Sequence, residues 1–344
     1  MQTPSSGRKP ILTIKNIIRH FDISGGLLEQ LKIRNKKLTR EKTFVKAVND
    51  ISFTINKGET LSVVGESGCG KSTLARVIMG LYPPDSGEIY FKNTRIDTLS
   101  HSAMLPFRKK IQMIFQDPYA SLNPRKTVQQ TLEEPLRFHN PGMTNRAVLE
   151  KIASIMKQVG VDPAWRTRYP HEFSGGQRQR ISIARALILD PELIVADEPV
   201  SALDVSIQAQ ILNLLMDTGR QRGLTYLFIT HDLSVVQHIS TRVAVMYLGS
   251  LCEIGRTEDI FKTPAHPYTR ALLSAIPRVG EPRAGKIKLK GEVPTPVNLP
   301  SGCVFHGRCM YANQRCRQEI PRLNRLDTGS FAACHALEEK RYPG

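Results

Sequence analysis

Residues 65–73 of this chain read Gly65-Glu66-Ser67-Gly68-Cys69-Gly70-Lys71-Ser72-Thr73, between a short apolar run and a helical apolar pattern. The run, residues 60–64, predicts a buried strand, and the pattern over residues 74–80 predicts a helix. Glycines at this spacing turn successive backbone N–H groups inward, and the helix start adds a positive dipole end. An ordinary glycine-rich turn would need neither neighbour. We therefore predict an α/β fold in which residues 65–73, the phosphate loop, bind a nucleotide, with Lys71 on its phosphates and Ser72 on Mg²⁺.

Two carboxylates follow a second apolar run, residues 193–196. Such a run predicts a buried parallel strand, whose carboxyl end delivers Asp197 and Glu198 to the nucleotide. Asp197 is placed to organise Mg²⁺, and Glu198 is placed to take a proton from an attacking water. Taken alone, the motif fits an edge strand with solvated acids equally well. Combined with the phosphate loop, it favours nucleotide hydrolysis.

A second anion site is predicted between these motifs, where residues 173–180 read Phe-Ser-Gly-Gly-Gln-Arg-Gln-Arg. Ser174 is a suitable N-cap for the helix that the apolar spacing of residues 181–188 predicts. Gly175 and Gly176 leave backbone N–H groups bare at the helix start, and such groups bind phosphate. Two phosphate-binding ends in one chain are more than one nucleotide needs.

The composition leaves the partner open. The formal charge of +17 favours anionic partners, which include nucleotides, nucleic acids and the anionic surface of a membrane. No apolar run approaches the roughly 18 residues of a membrane span. The polar N-terminus lacks the apolar core of a signal peptide, so we expect a cytosolic protein.

The order and spacing of these motifs resemble those of the ATP-binding cassette (ABC) family. Residues 65–73 resemble its Walker A motif, residues 193–198 its Walker B motif, and residues 174–177 its signature, with Phe173 at a position that is usually leucine. Three further motifs of the family follow in order, at Gln116, Asp204 and His231. The resemblance covers about residues 10–260. It implies a cassette with a mixed core sheet, an antiparallel β subdomain, and an α-helical subdomain at about residues 117–180.

The resemblance also implies roles for individual residues. Two cassettes would dimerise head to tail around two ATP molecules, each held by the phosphate loop of one chain and by the signature of the other. The implied signature residues are Ser174, Gly175, Gly176 and Gln177. Asp204 would cross the interface, His231 and Gln116 would join Glu198 in catalysis, and Ser72, Gln116 and Asp197 would hold Mg²⁺.

Without the resemblance, His231 and Gln116 would be taken for a strand-end histidine and a surface polar residue. An aromatic residue that precedes the phosphate loop stacks on adenine in this family. Phe21 is the first candidate for that role and Phe44 the second.

The chain divides into an ATP-binding domain, residues 1–262, and an extension, residues 263–344. The first contains a basic insertion at about residues 24–46, with seven Lys or Arg side chains between Lys32 and Lys46. This insertion is either a solvated hairpin or a patch for anionic lipid or a partner. The spacing of apolar residues predicts an amphipathic helix over residues 144–160, and residues 277–300 have the composition of a linker.

The start of the extension, residues 265–277, is similar to the extension of peptide-importer ATPases, and most similar to the second ATPase subunit of oligopeptide and dipeptide permeases. From residue type alone, His266 and Tyr268 belong to a packed turn. The similarity implies a peripheral ATPase at the cytoplasmic face of the inner membrane. It would pair with a sister ATPase, drive two permease subunits, depend indirectly on an external peptide-binding protein, and bind no nucleic acid. The alternatives are a soluble ABC ATPase that acts on nucleic acid or ribosomes, and an importer of another solute such as nickel.

Cys303, Cys309, Cys316 and Cys334 are separated by 5, 6 and 17 residues. In a cytosolic chain such a group favours a metal site over disulfides, although packed reduced cysteines remain an alternative. The spacing matches neither paired zinc knuckles nor common ferredoxins, so it does not choose the metal. Similarity to peptide importers, some of which carry an iron–sulfur cluster here, implies [4Fe–4S], with Zn²⁺ as the alternative. Cys69 and Cys252 are isolated in the sequence and are not expected to be ligands.

Overall fold

A computed structural model of the chain describes residues 9–24, 31–34, 37–40, 42–276, 287–289, 291–292 and 294–342. Much of the predicted linker, including residues 277–286, therefore lies outside the described residues.

An antiparallel sheet forms the first layer, with strands in the order β4-β1-β6-β7. Its strands are β1 (Pro10–Asp22), β4 (Phe44–Asn56), β6 (Ser86–Phe91) and β7 (Thr94–Arg95). Ile14 pairs with Phe53 on one side and with Ile89 on the other, and all three side chains are buried. This sheet is the antiparallel subdomain that the resemblance implied.

The basic insertion contains a β-hairpin. Strand β2 (Leu31–Arg34) pairs antiparallel with β3 (Lys37–Arg40). The backbone thus has the hairpin form that one of the two alternatives predicted. Residues 25–30, 35–36 and 41 lie outside the described residues, so the alternative of a cationic patch stays a hypothesis.

The central sheet runs in the order β13-β14-β12-β11-β5-β10-β9-β8. The parallel strands are β5 (Thr60–Val64), β8 (Ile111–Ile114), β9 (Leu193–Asp197), β10 (Thr225–Thr230) and β11 (Arg242–Tyr247). Antiparallel strands β12 (Ser250–Arg256), β13 (Asn324–Arg325) and β14 (Phe331–Ala332) complete the sheet. Every residue of β9 and β10 is buried, because helices cover both faces of a parallel sheet.

Helices pack around this sheet. Those outside the helical subdomain are α1 (Lys71–Ile78), α2 (His101–Lys110), α7 (Val205–Arg222), α8 (Leu233–Ile239), α9 (Thr257–Lys262), α10 (Pro267–Ser274), α11 (Gln314–Gln318) and α12 (His335–Glu338). Among the described residues, none of these or of the helices below is long and apolar enough to cross a bilayer.

The helical subdomain lies between β8 and β9 in the chain. It comprises α3 (Pro118–Ser121), α4 (Val128–His139), α5 (Asn145–Gln158), 3-10 turns at Pro163–Thr167 and Pro170–Glu172, and α6 (Gly175–Leu187). The amphipathic helix expected over residues 144–160 is α5, which Thr144 caps by accepting a hydrogen bond from the Ala147 N–H.

The extension joins the core instead of standing apart from it. Strand β14 pairs with β12, so the central sheet continues into the extension. Phe305 packs against Tyr247 and Tyr268, each with a centroid distance of 5.3 Å. The buried Glu253 carboxylate accepts hydrogen bonds from the backbone N–H groups of Ala265 and His266, just before α10.

We predict that His266 makes the stability of this junction depend on pH. Burial lowers the pKa of His266 to about 3, and its Nδ1 accepts a hydrogen bond from the Tyr268 N–H. Below the ordinary histidine pKa of 6.5, His266 is protonated in the unfolded chain but stays neutral in the folded chain. The contribution of the neutral His266 to the free energy of unfolding is therefore lost as the pH falls from 6.5 toward 3.

Between pH 7 and pH 5 the wild-type protein should lose ~2 kcal/mol more stability than His266→Asn. Asn supplies an oxygen acceptor but does not titrate, and Glu253 is present in both proteins. Urea unfolding of both proteins at the two pH values measures the difference. Parallel pH profiles would contradict the assignment.

Candidate functional site

The phosphate loop connects β5 to α1 and lies against the backbone of two other strands. A Cβ on Gly65 would lie 2.1 Å from the Met246 carbonyl oxygen. A Cβ on Gly70, whose φ is +102°, would lie 1.9 Å from the Ala47 carbonyl oxygen. Both glycines are therefore required for the chain to pass between its neighbours.

Lys71 begins α1, and its side chain folds back over the loop. The ammonium donates hydrogen bonds to the Gly65 carbonyl at 2.8 Å and to the Glu66 carbonyl at 2.9 Å. It is only 5 % exposed, so these carbonyls hold a charge that has little water around it. Phosphate oxygens could replace these carbonyls and form stronger bonds, because donor and acceptor would then carry opposite charges.

Two side chains of the phosphate loop, those of Cys69 and Glu66, point away from the side where a phosphate would bind. Cys69 is 3 % exposed and packs in the hydrophobic core. The Glu66 carboxylate is directed toward Arg308 of the extension. These two residues therefore present only backbone groups to a phosphate.

Ser72 and Asp197 meet at the carboxyl end of β9. The Ser72 hydroxyl donates to the Asp197 carboxylate at 2.9 Å, and Asp197 is only 3 % exposed. Burial raises the pKa of Asp197, while the bond from Ser72 opposes the rise. A buried carboxylate beside a hydroxyl is a pair of hard oxygen donors, which fits Mg²⁺.

Glu198 stands between two polar side chains. Its carboxylate accepts from the Gln116 amide nitrogen at 3.1 Å, and it lies 3.2 Å from His231 Nδ1. The Glu198 side chain is 14 % exposed and that of His231 is 58 % exposed. The geometry brings the three predicted catalytic residues together. It places Gln116 at Glu198, whereas the resemblance also implied that Gln116 holds Mg²⁺.

The backbone aims Glu198 at this position. Its φ is +45°, a left-handed conformation that costs about 1–2 kcal/mol for a residue with a Cβ. The Glu198 N–H donates to the Ile229 carbonyl of β10 at 2.9 Å, which holds the turn in place. Strain of this kind is typical of functional residues.

These groups surround a cleft of about 470 Å³. Its lining consists of Phe21, Val45, Ala47, Ser67, Gly68, Gly70, Lys71, Ser72, Thr73, Gln116, Glu198, His231 and Pro296. Phe21 lies at the side formed by β1, where its ring meets Tyr82 edge to face at 5.3 Å. Phe44 is 38 % exposed and is not among the described residues that line the cleft.

Sequence reasoning missed the contribution of Pro296. The residue lines the cleft, and its carbonyl accepts a hydrogen bond from the Lys46 N–H at 2.9 Å. The residue lies in the segment that was interpreted as a linker. No local motif marks it, because its position follows from a contact with a distant strand.

The signature lies away from this cleft. Ser174 caps α6 and exchanges hydrogen bonds with Gln177 in a capping box, as expected for an N-cap. Ser174 and Asp204 are exposed, and neither is among the described residues that line the cleft. Both are therefore free to meet another surface.

The four extension cysteines lie close together, although not in an arrangement that would hold a single metal ion in the described part of the chain. The pKa of Cys303 is raised to about 12, mainly by burial and in part by the neighbouring Cys316, Cys334 and Cys309 thiols, so the four lie close together. Among the described residues, no group of three or more His, Cys, Asp or Glu side chains is arranged to hold a metal ion. Cys252, isolated in the sequence, is buried near Cys303.

Comparisons with known proteins agree with this geometry. Residues 48–201 match the family model "ABC transporter", and residues 252–316 match "Oligopeptide/dipeptide transporter, C-terminal region". The putative oligopeptide transport ATP-binding protein YkfD of Bacillus subtilis is 50 % identical, with 95 % of this chain and 96 % of that protein covered. The dipeptide transport ATP-binding protein DppF of Haemophilus influenzae is 52 % identical, with 86 % and 90 % covered.

A solved structure shares the cassette. The dimeric ATP-binding cassette MJ0796, in a post-hydrolysis state bound to ADP and Pi, is 28 % identical with a TM-score of 0.60. The match covers 72 % of this chain and 98 % of that one.

We predict that Glu198→Gln lowers kcat for ATP hydrolysis by roughly 10²–10⁴-fold, because the amide cannot take a proton from water. ATP affinity should stay near that of the wild type, whereas Lys71→Ala should weaken ATP binding itself. Glu192→Gln, just before the opposite end of β9, is a matched control. Equal rates for Glu198→Gln and Glu192→Gln would contradict the role of Glu198.

Proposed function

We propose that this chain hydrolyses ATP in the cleft beside the phosphate loop and thereby powers peptide import. It belongs to the family of ATP-binding subunits of oligopeptide and dipeptide ABC transporters. The observation that carries this proposal is the position of the Glu198 carboxylate, between Gln116 and His231 in the cleft that Ser72 also lines.

The residues of the cleft divide the work of hydrolysis. The phosphate loop binds the phosphates through its N–H groups and through Lys71, once the ammonium leaves the Gly65 and Glu66 carbonyls. Ser72 and Asp197 hold Mg²⁺, which neutralises phosphate charge. Glu198 accepts a proton from the attacking water while Gln116 and His231 fix the orientation of its carboxylate. Phe21 packs on the adenine.

The second nucleotide contact comes from another cassette. The exposed signature and Asp204 support a head-to-tail dimer, in which Ser174 and the bare N–H groups of Gly175 and Gly176 cover the γ-phosphate of the partner's ATP. The similar cassette MJ0796 is dimeric, which supports a dimer here. We propose that the partner here is a sister ATPase and that Gln177 completes the contact.

The extension favours a peptide transporter over the alternatives. Residues 252–316 match the C-terminal region of oligopeptide and dipeptide transporters, which disfavours a role on nucleic acid or ribosomes and import of nickel. We propose that the chain lies at the cytoplasmic face of the inner membrane. There it would bind, as a peripheral subunit, to two permease chains that receive peptide from an external peptide-binding protein. Residues 1–262 would be the motor and residues 263–344 its extension.

We predict that the chain floats with membranes when a peptide permease of this family is co-expressed. ATPase activity in those membranes should rise when the peptide-loaded binding protein is added, because a transport motor responds to its substrate. Glu198→Gln should float equally well and show no stimulation. Stimulation by RNA or DNA in the absence of permease would replace this function with the nucleic-acid alternative.

We further propose that the converging cysteines hold a [4Fe–4S] cluster. A cubane is wider than a single ion, so its thiolates stand further apart than the ligands of one zinc. The Arg341 guanidinium lies 3.7 Å from Cys316 Sγ, where a donor would stabilise a thiolate. Burial raises the pKa of Cys309 to about 11, and coordination to a metal would lower that pKa by stabilising the thiolate.

Protein purified without oxygen should then be brown and carry about four irons per chain, and Cys316→Ser should lose both. Cys69→Ala, which alters a cysteine in the phosphate loop, should keep its iron. Iron analysis and absorption spectra measure this. One zinc per chain would identify a structural zinc site, and metal-free protein would refute both versions.

A further inference from the structure

Glu66, the second residue of the phosphate loop, is held from the extension at two of its three polar groups. Its backbone N–H donates to the Tyr268 hydroxyl at 3.0 Å. Its carboxylate lies 2.7 Å from the Arg308 guanidinium. Its carbonyl accepts from Lys71. The extension residues lie 202 and 242 positions away in the chain, so these are tertiary contacts that fix the loop from outside.

Both contacts are well shielded from water. Tyr268 is fully buried, and its ring packs against Tyr247 at a centroid distance of 4.7 Å. The side chains of Arg308 and Glu66 are 10 % and 26 % exposed. A charge pair with so little water is screened less than a surface pair, and the loss of one member leaves the other charge uncompensated.

The two residues are themselves rigidly anchored. Tyr268 lies in α10, whose start is held by the Glu253 carboxylate. Arg308 ends a 3-10 turn, His306–Arg308, directly after Phe305, which packs on Tyr268. The two anchors therefore form one packed unit, and a shift of either is passed to Glu66.

We propose that Tyr268 and Arg308 are positioning residues for ATP: they fix Glu66, and through it the start of the phosphate loop. This rests on the proposed function, because it takes ATP to be the ligand of that loop. Neither residue lines the cleft, so both act through Glu66. Because a prearranged loop does not have to become ordered when ATP binds, less of the binding free energy is lost. The two contacts should therefore raise the affinity for ATP more than they raise kcat. The extension is then part of the ATP site.

The test compares two tyrosines of the extension. Tyr268→Phe removes only the hydroxyl that accepts from Glu66. Tyr342→Phe is the matched control, since Tyr342 is also buried and its hydroxyl donates to the Pro264 carbonyl, away from the loop. Titration of the full chain with a fluorescent ATP analogue and Mg²⁺ gives Kd. Steady-state hydrolysis gives kcat and KM.

Tyr268→Phe should raise Kd and KM roughly five- to tenfold, the size expected for one shielded hydrogen bond, with kcat changed less than twofold. Tyr342→Phe should match the wild type. Equal Kd values for the two variants would overturn the role of Tyr268. A fall in kcat at unchanged KM would overturn the positioning role.

A second set of variants tests Arg308. Arg308→Met and Glu66→Gln should each raise the Kd for ATP. The double variant should have a Kd no higher than that of the weaker-binding single variant, because the two substitutions remove the same contact. Arg308→Lys, which keeps the charge, should recover part of the affinity. Additive effects would overturn the coupling.

The proposed function can fail separately. If the wild type binds MgATP and Lys71→Ala does not, while Tyr268→Phe and Arg308→Met bind normally, only this inference is wrong. If the wild type binds no MgATP, the proposed function and the inference both fall.

Discussion

Parallel pairing of β8, β9, β10 and β5 determines where the chemistry of this protein lies. Because the four strands run the same way, their carboxyl ends meet at one edge of the sheet. Gln116 follows β8, Asp197 ends β9 and Glu198 follows it, His231 follows β10, and the phosphate loop follows β5. Segments far apart in the chain thus supply one site. Strand β10 lies between β5 and β9 in the sheet, and the hydrogen bond from Ser72 to Asp197 connects the segments on either side of it.

The extension shares in this organisation. It adds strand β14 beside β12 and places Pro296 at the cleft. It also supplies Tyr268 and Phe305, which pack against Tyr247. It thus contributes to the cleft, although the two family matches, residues 48–201 and 252–316, are separate. The phosphate loop thus has contacts both with Ala47, which precedes it in the chain, and with Tyr268 and Arg308 of the extension.

Local patterns were enough to predict the motifs. The phosphate loop, the strand that ends in Asp197, and the cap at Ser174 each depend on residues within a few positions of one another, so spacing alone indicates their structure. Contacts between distant segments were not predictable in this way. The Tyr268 hydroxyl, Arg308 and Pro296 reach the site only because the sheet brings the extension back to the loop. Likewise, the proximity of Cys252 to Cys303 leaves no trace in the spacing of cysteines.

The central claim is that one edge of the sheet holds the phosphates and their cation together. Mn²⁺ can replace Mg²⁺ and be followed by electron paramagnetic resonance, with ATP present, in the wild type, Ser72→Ala and Asp197→Asn. We predict phosphorus hyperfine coupling in the wild-type spectrum and a Mn²⁺ affinity at least roughly tenfold weaker in both variants, because Ser72→Ala removes an oxygen donor and Asp197→Asn removes the negative charge of another. Unchanged Mn²⁺ affinity in both variants would contradict this claim.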